Sequence, residues 1–137
     1  MVNEKSEKRK QNLIEAIERE RGRLPAHWAY LAEKEIDFME AYNTLYTKGL
    51  TDGKALPAKT RELIAIALLA FRGRENDVYE HCKRALRLGA TKQELLEAME
   101  TSIIPGGAPT LSTGLRALMR IEEDEKAKSK PGAGGRL

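Results

Sequence analysis

Between Leu63 and Phe71 the chain reads Leu-Ile-Ala-Ile-Ala-Leu-Leu-Ala-Phe, nine consecutive residues without a polar side chain. From Pro57 to about Phe71 this reads as a helix that is apolar on almost every side. Such a helix is normally a central one, wrapped by others. The rest of the chain must therefore supply cover, or a second copy must. One residue breaks the pattern: Glu62 sits inside the helix. With Pro57 at the first helical position, where its missing N–H costs nothing, Glu62 falls in the second turn. Compensation of the helix dipole fades within the first turn. A carboxylate there lies at a rim or has a partner, because an unpaired buried charge is costly. His81 on the next helix, beside Cys82, is a candidate partner. The competing reading is structural, a rim carboxylate and a histidine held by a hydrogen bond.

The flanking segments are helical too. Asn3 to about Arg21 is a highly charged helix whose apolar anchors are Leu13, Ile14 and Ile17. So narrow a stripe docks on a neighbour but cannot form a core; a basic arm for an acidic partner is the less favoured alternative. Gly22 and Pro25 break the chain. From about Ala26 to Lys48, Trp28, Leu31, Ile36, Phe38, Met39, Tyr42, Leu45 and Tyr46 recur at helical spacing. These are packing residues first, with His27, Trp28 and Tyr30 as an alternative pocket lining. Glu75 to about Leu88 carries a stripe of Val78, Cys82, Ala85 and Leu86, with His81 at its border and Gly89 placed as a cap. Thr91 to Glu94 is a capping-box pattern leading into Leu95, Leu96, Ala98 and Met99. Pro105-Gly106-Gly107-Ala108-Pro109 interrupts the chain before a last helix from about Thr110 to Lys126. No segment alternates like a strand. The fold class is all-α, a bundle of about six helices. Residues 1–24 form a charged docking helix, 25–128 the main helical domain, and 129–137 a Gly- and Lys-rich tail expected to be mobile.

At 137 residues the chain is one domain, large enough for a single helical core. A net charge of +3, spread over 24 basic and 21 acidic residues, does not argue for nucleic acid. No apolar run is long enough to span a membrane, and the charged N-terminus lacks a secretory h-region. The single cysteine excludes an internal disulfide and suits a reducing cytoplasm. His27 and His81 stand far apart, and no His-x-x-x-His or Glu-x-x-His pair suggests a zinc or iron site. The Pro105–Pro109 segment lacks the Lys-Ser/Thr end of a phosphate-binding loop. It is either a helix-to-helix corner or a pocket wall whose backbone N–H groups near Gly107 face a substrate oxygen. With no nucleotide or flavin fingerprint, an enzyme built on this chain is expected to work without a cofactor.

Taken in order, Leu56-Pro57, then Lys59-Thr60-Arg61-Glu62-Leu63-Ile64-Ala65, then His81 with Ala85-Leu86, Gly89-Ala90-Thr91, Glu94, Glu97-Ala98 and Gly107-Ala108-Pro109 resemble the carboxymuconolactone decarboxylase family. That family also contains the alkylhydroperoxidase D-like proteins. The peroxidase branch carries a Cys-x-x-Cys pair ending four residues before the histidine. The corresponding positions here are Arg74 and Asp77. Thiol peroxidase chemistry needs an attacking thiolate and a resolving thiol, and Cys82 alone supplies neither spacing nor count. On this point the chain resembles the non-redox branch. The resemblance implies a homo-oligomer, a homotrimer or trimer-based homohexamer, with pockets near subunit boundaries.

For a decarboxylase of this type, His81 is the expected acid or donor and Glu62 its partner or proton shuttle. A cation must hold the substrate carboxylate; Arg61 and Arg74 are preferred, with Lys83 a third candidate. Two other classes stay open. One is a single-cysteine redox role for Cys82, and the other a non-catalytic oligomer that binds small molecules.

Overall fold

The computed structural model describes residues 3–130. Seven helices follow one another, α1 (Glu4–Arg21), α2 (Ala26–Lys34), α3 (Ile36–Leu50), α4 (Ala58–Phe71), α5 (Glu75–Arg87), α6 (Lys92–Gly106) and α7 (Ala108–Ser129). Among the described residues there is no strand. The all-α expectation holds, with seven helices rather than about six. The helices form two compact units, one ending at Thr51 and the other beginning at Asp52.

In the first unit α1 starts at Asn3, whose side chain accepts from the Lys5 amide, and ends at Gly22 in the left-handed region. Acidic Glu4 and Glu7 open it and basic Arg19 and Arg21 close it, both opposing the helix dipole. Its stripe is buried as Leu13 and Ile17, which share a small core with Ala32 and Met39. Arg9 bridges to Asp37 and Glu40, and Lys10 to Glu33, tying the charged faces together.

The single helix expected from Ala26 to Lys48 is two helices, divided at Glu35 (φ −143°, ψ 71°). No glycine or proline marks the break. Its reason is tertiary: Trp28 stacks on Tyr42 with ring centroids 4.5 Å apart. Fourteen residues of straight helix would separate them by about 21 Å. Folding α3 back on α2 buries those rings, and the aromatic contact offsets the ladder bonds lost at Glu35. Trp28 is thus a packing residue, with His27 tilted against it, while Tyr30 stays exposed.

The second unit holds the main core of Ile66, Ala70, Val78, Cys82, Ala85, Leu95, Met99, Ala117 and Ile121. Pro57 is the N-cap of α4 rather than its first helical residue, and the Ala58 amide bonds to Asp52 Oδ1 at 2.8 Å. Within one chain α4 is covered on one side only. Glu62, Ile66 and Ala70, four residues apart, face inward, while Ile64, Leu68 and Phe71 are exposed.

Helix α5 ends as its sequence suggests: Gly89 adopts φ 95°, and the Gly89 and Ala90 amides return to Leu86 and Ala85. Thr91 and Glu94 form the capping box of α6. The predicted interruption at Pro105–Pro109 shrinks to one residue. Helix α6 runs through Pro105, where only one bond of its last turn is lost. Gly107 alone makes the corner at φ 80°, a conformation that suits glycine. Small residues then let α7 close on α6: a Cβ added to Gly114 would lie 2.6 Å from Met99 Cγ. Helix α7 reaches Ser129, so most of the tail predicted to be mobile, residues 131–137, lies outside the described residues.

Candidate active site

Glu62 is fully buried near the start of α4, and its carboxylate is the meeting point of two donors from α5. His81 engages Oε1 through Nδ1. The Arg84 guanidinium donates to Oε2 at 2.5 Å. His81 and Arg84 are three residues apart and so share one face of α5. Helix α4 presents Glu62 to that face because Ile66 and Ala70, one and two turns further on, are anchored in the core. With both oxygens occupied, the burial of the carboxylate is compensated. The His81 side chain keeps 18% of its surface exposed, so the ring sits at the edge of the unit. With Nδ1 on Glu62, Nε2 is the ring nitrogen that does not face the carboxylate.

Cys82 follows His81 in the chain but turns into the core, with no exposed surface. Burial, reinforced by the nearby Glu62 charge, pushes its thiol up to about 12. At neutral pH it is a small apolar core residue rather than a nucleophile.

The other predicted residues stand elsewhere. The Arg61 guanidinium, half-buried, lies against the loop at Gly53, where an added Cβ would be 3.3 Å from its Nη1. Arg74 is mostly exposed and donates to Asp77 Oδ2 at 2.8 Å. Lys83 pairs with Glu80 at 3.0 Å and overhangs the Tyr79 ring. Gly107 occupies the α6–α7 corner. The structure therefore joins Glu62 to His81, sets Arg61 against the Gly53 loop and pairs Arg74 with Asp77. Arg84 is the member that sequence reasoning missed; its spacing from His81 puts it on the same face of α5 but does not by itself single it out as the partner of Glu62.

Lys59, one turn before Glu62, bonds Glu94 of the capping box at 3.1 Å and ties α4 to α6. A cavity of about 300 Å³ opens between α6 and α7, lined mainly by Leu95, Leu96, Leu115, Leu118, Met119 and Ile121. Among the described residues no three of His, Cys, Asp and Glu converge as metal ligands.

Comparison with known proteins gives consistent matches. The model of the carboxymuconolactone decarboxylase family matches residues 37–119. An uncharacterized protein of Cupriavidus necator is 36% identical over 80 residues, 58% of this chain and 70% of the relative. An uncharacterized protein of Methanocaldococcus jannaschii is 28% identical over 103 residues, 74% of this chain and 95% of the relative. Among solved structures, a candidate carboxymuconolactone decarboxylase from Burkholderia xenovorans superposes with a TM-score of 0.73 at 26% identity. The match covers 91% of this chain and 99% of that one. The apo form of a carboxymuconolactone decarboxylase family protein from Legionella pneumophila gives 0.66 at 28% identity, covering 83% and 95%.

Proposed function

The chain belongs to the carboxymuconolactone decarboxylase family, and from that premise we propose a cofactor-independent enzyme acting on a small lactone or carboxylic acid by acid/base chemistry at His81 and Glu62. The observation that carries this reading is a fully buried carboxylate engaging a histidine that keeps an exposed edge. Loss of carbon dioxide from a lactone carboxylate leaves an electron pair that flows into the conjugated carbonyl as an enolate. Charged as imidazolium, His81 donates through Nε2 a hydrogen bond to the developing oxyanion or a proton to carbon, and is left as the neutral ring. Glu62 fixes the ring. A cationic side chain holds the substrate carboxylate. Arg61, beside Glu62 in the chain, and Arg74, paired with Asp77 at the surface, are the proposed clamps. Gly107 serves as a pocket wall.

The alternative of alkylhydroperoxidase-like chemistry would have to run on Cys82, whose buried thiol stays protonated at neutral pH. The exposed apolar face of Ile64, Leu68 and Phe71 favours self-association as a homotrimer or homohexamer. Among the described residues no helix is long and apolar enough to cross a membrane; a cytoplasmic setting belongs to the same proposal, on the strength of one unpaired cysteine.

The test is direct. Thermal-shift screening against lactones and carboxylic acids of aromatic breakdown selects a ligand, and release of carbon dioxide is then followed. Replacing His81 with Ala is expected to abolish turnover and leave the helical circular dichroism spectrum intact. Retained turnover would overturn the catalytic role of His81.

A further inference from the structure

We infer that Arg84 is a positioning residue, which by holding Oε2 of Glu62 fixes the neutral His81 ring as the Nδ1–H tautomer and makes Glu62 an orienting group rather than a proton shuttle. The inference rests on the acid/base reading of His81 and goes beyond it by assigning the proton between the two side chains.

The argument begins with a choice that the Glu62–His81 contact alone leaves open. A carboxylate accepts from Nδ1–H, whereas a carboxylic acid donates to a bare Nδ1. These arrangements make different catalysts. In the first, Nε2 is an acceptor in the neutral ring and a proton entering there gives imidazolium. In the second, Nε2 already carries the hydrogen, and Glu62 gives up or takes back the proton. Arg84 decides between them. Its guanidinium is a permanent cation that only donates, and it contacts Oε2 at 2.5 Å with both side chains almost wholly buried. Protonating Glu62 would deprive the Arg84 cation of its carboxylate partner inside the protein, which is the costly way to break a buried pair.

Several other charged groups on the helices packed against α5 have partners of their own. On α7, Arg116 meets Glu75, Arg120 meets Asn76 and the Tyr79 ring, and Asp124 meets the Tyr79 hydroxyl. On α4, Lys59 meets Glu94. On α5 itself, Glu80 pairs with Lys83. Arg84 is the cation that touches the same carboxylate as His81.

The ring nitrogens of His81 report the outcome without any substrate, because protonated and bare imidazole nitrogens resonate far apart in ¹⁵N spectra. His27 is the only other histidine and is assigned by comparison with the His27→Gln variant. In the full-length protein, with the ring neutral, His81 is expected to show Nδ1 protonated and Nε2 bare. The opposite pattern overturns the inference outright, with no variant needed. In Arg84→Met the two resonances should move toward an averaged position, while Arg84→Lys, which keeps a cation, should restore much of the wild-type pattern. Arg84→Gln stands in if the Met variant does not fold. An unchanged His81 pattern in a folded, neutral variant would overturn the role of Arg84. Loss of turnover on His81→Ala is a separate readout, so the catalytic reading and the positioning of the ring fail independently.

Discussion

A carboxylate with no exposed surface is tolerated at position 62 because its two oxygens answer to two different donors. Removing it strands both. Glu62→Ala is therefore expected to cost about 3–5 kcal/mol of stability, measured by urea unfolding, far more than a surface Glu→Ala. Cys82 gives a prediction of the opposite kind. Its thiol is raised from an ordinary value of 9.0 to about 12 by burial, with Glu62 adding to the shift. A group whose folded value is raised stabilises fully below its unfolded value and loses that contribution as pH climbs toward the folded one. Stability should fall between about pH 9 and 12 in wild type and fall less in Cys82→Ala, read by thermal melts across that range. Iodoacetamide should label native Cys82 slowly at pH 8 and quickly after unfolding. At this scale the Glu62–His81 pair is legible as one of two readings, because a lone acid on an apolar helix lies at a rim or has a partner, and the family resemblance favours the pair. Arg84 is not. Helix α5 carries Lys83, Arg84 and Arg87, so cations leave it in several directions. Only the way α4 lies on α5 selects which one meets the carboxylate.

The helix termini are the most readable elements, since they are written in local chemistry. Thr91 and Glu94 cap α6 as their spacing requires, and Thr91→Ala should cost about 1 kcal/mol. Glu94 is held below the usual carboxylate range, first by the Lys59 ammonium and then by the Thr91 amide. Its folded value is depressed, so its stabilisation is present above the unfolded value of about 4.5 and disappears as pH falls through the folded one. The melting-temperature difference between wild type and Glu94→Gln should accordingly shrink in acid. Breaks without punctuation are illegible. Glu35 divides α2 from α3 on account of rings fourteen positions apart, which no local window contains. Conversely, Pro105 looks like a stop and is absorbed into the last turn of α6. Close helix approach is equally hidden until coordinates exist. Gly114→Ala drives a methyl group into Met99, a fully buried side chain, and overpacking of this kind should cost about 1–3 kcal/mol.

At the scale of the whole molecule, the absence of any alternating segment made the all-α class readable from composition and period alone. The two-unit organisation was not, because the first core depends on the unmarked turn at Glu35. The uncovered side of α4 leads to the remaining prediction. Under the proposed self-association, sedimentation at micromolar concentration should give a multiple of the 15.3 kDa chain mass. Leu68→Lys on the exposed face should lower that multiple without loss of helix content. A monomeric wild type would remove self-association from the proposal. One further consequence follows from where Glu62 finds its donors. Its most distant donor is 22 residues along the chain, across a single tight corner between consecutive helices. Closing so short a loop is entropically cheap, so the acid/base constellation belongs to one helical hairpin. A circularly permuted chain that keeps residues 58–87 contiguous should carry its chemistry along, wherever the new ends are cut.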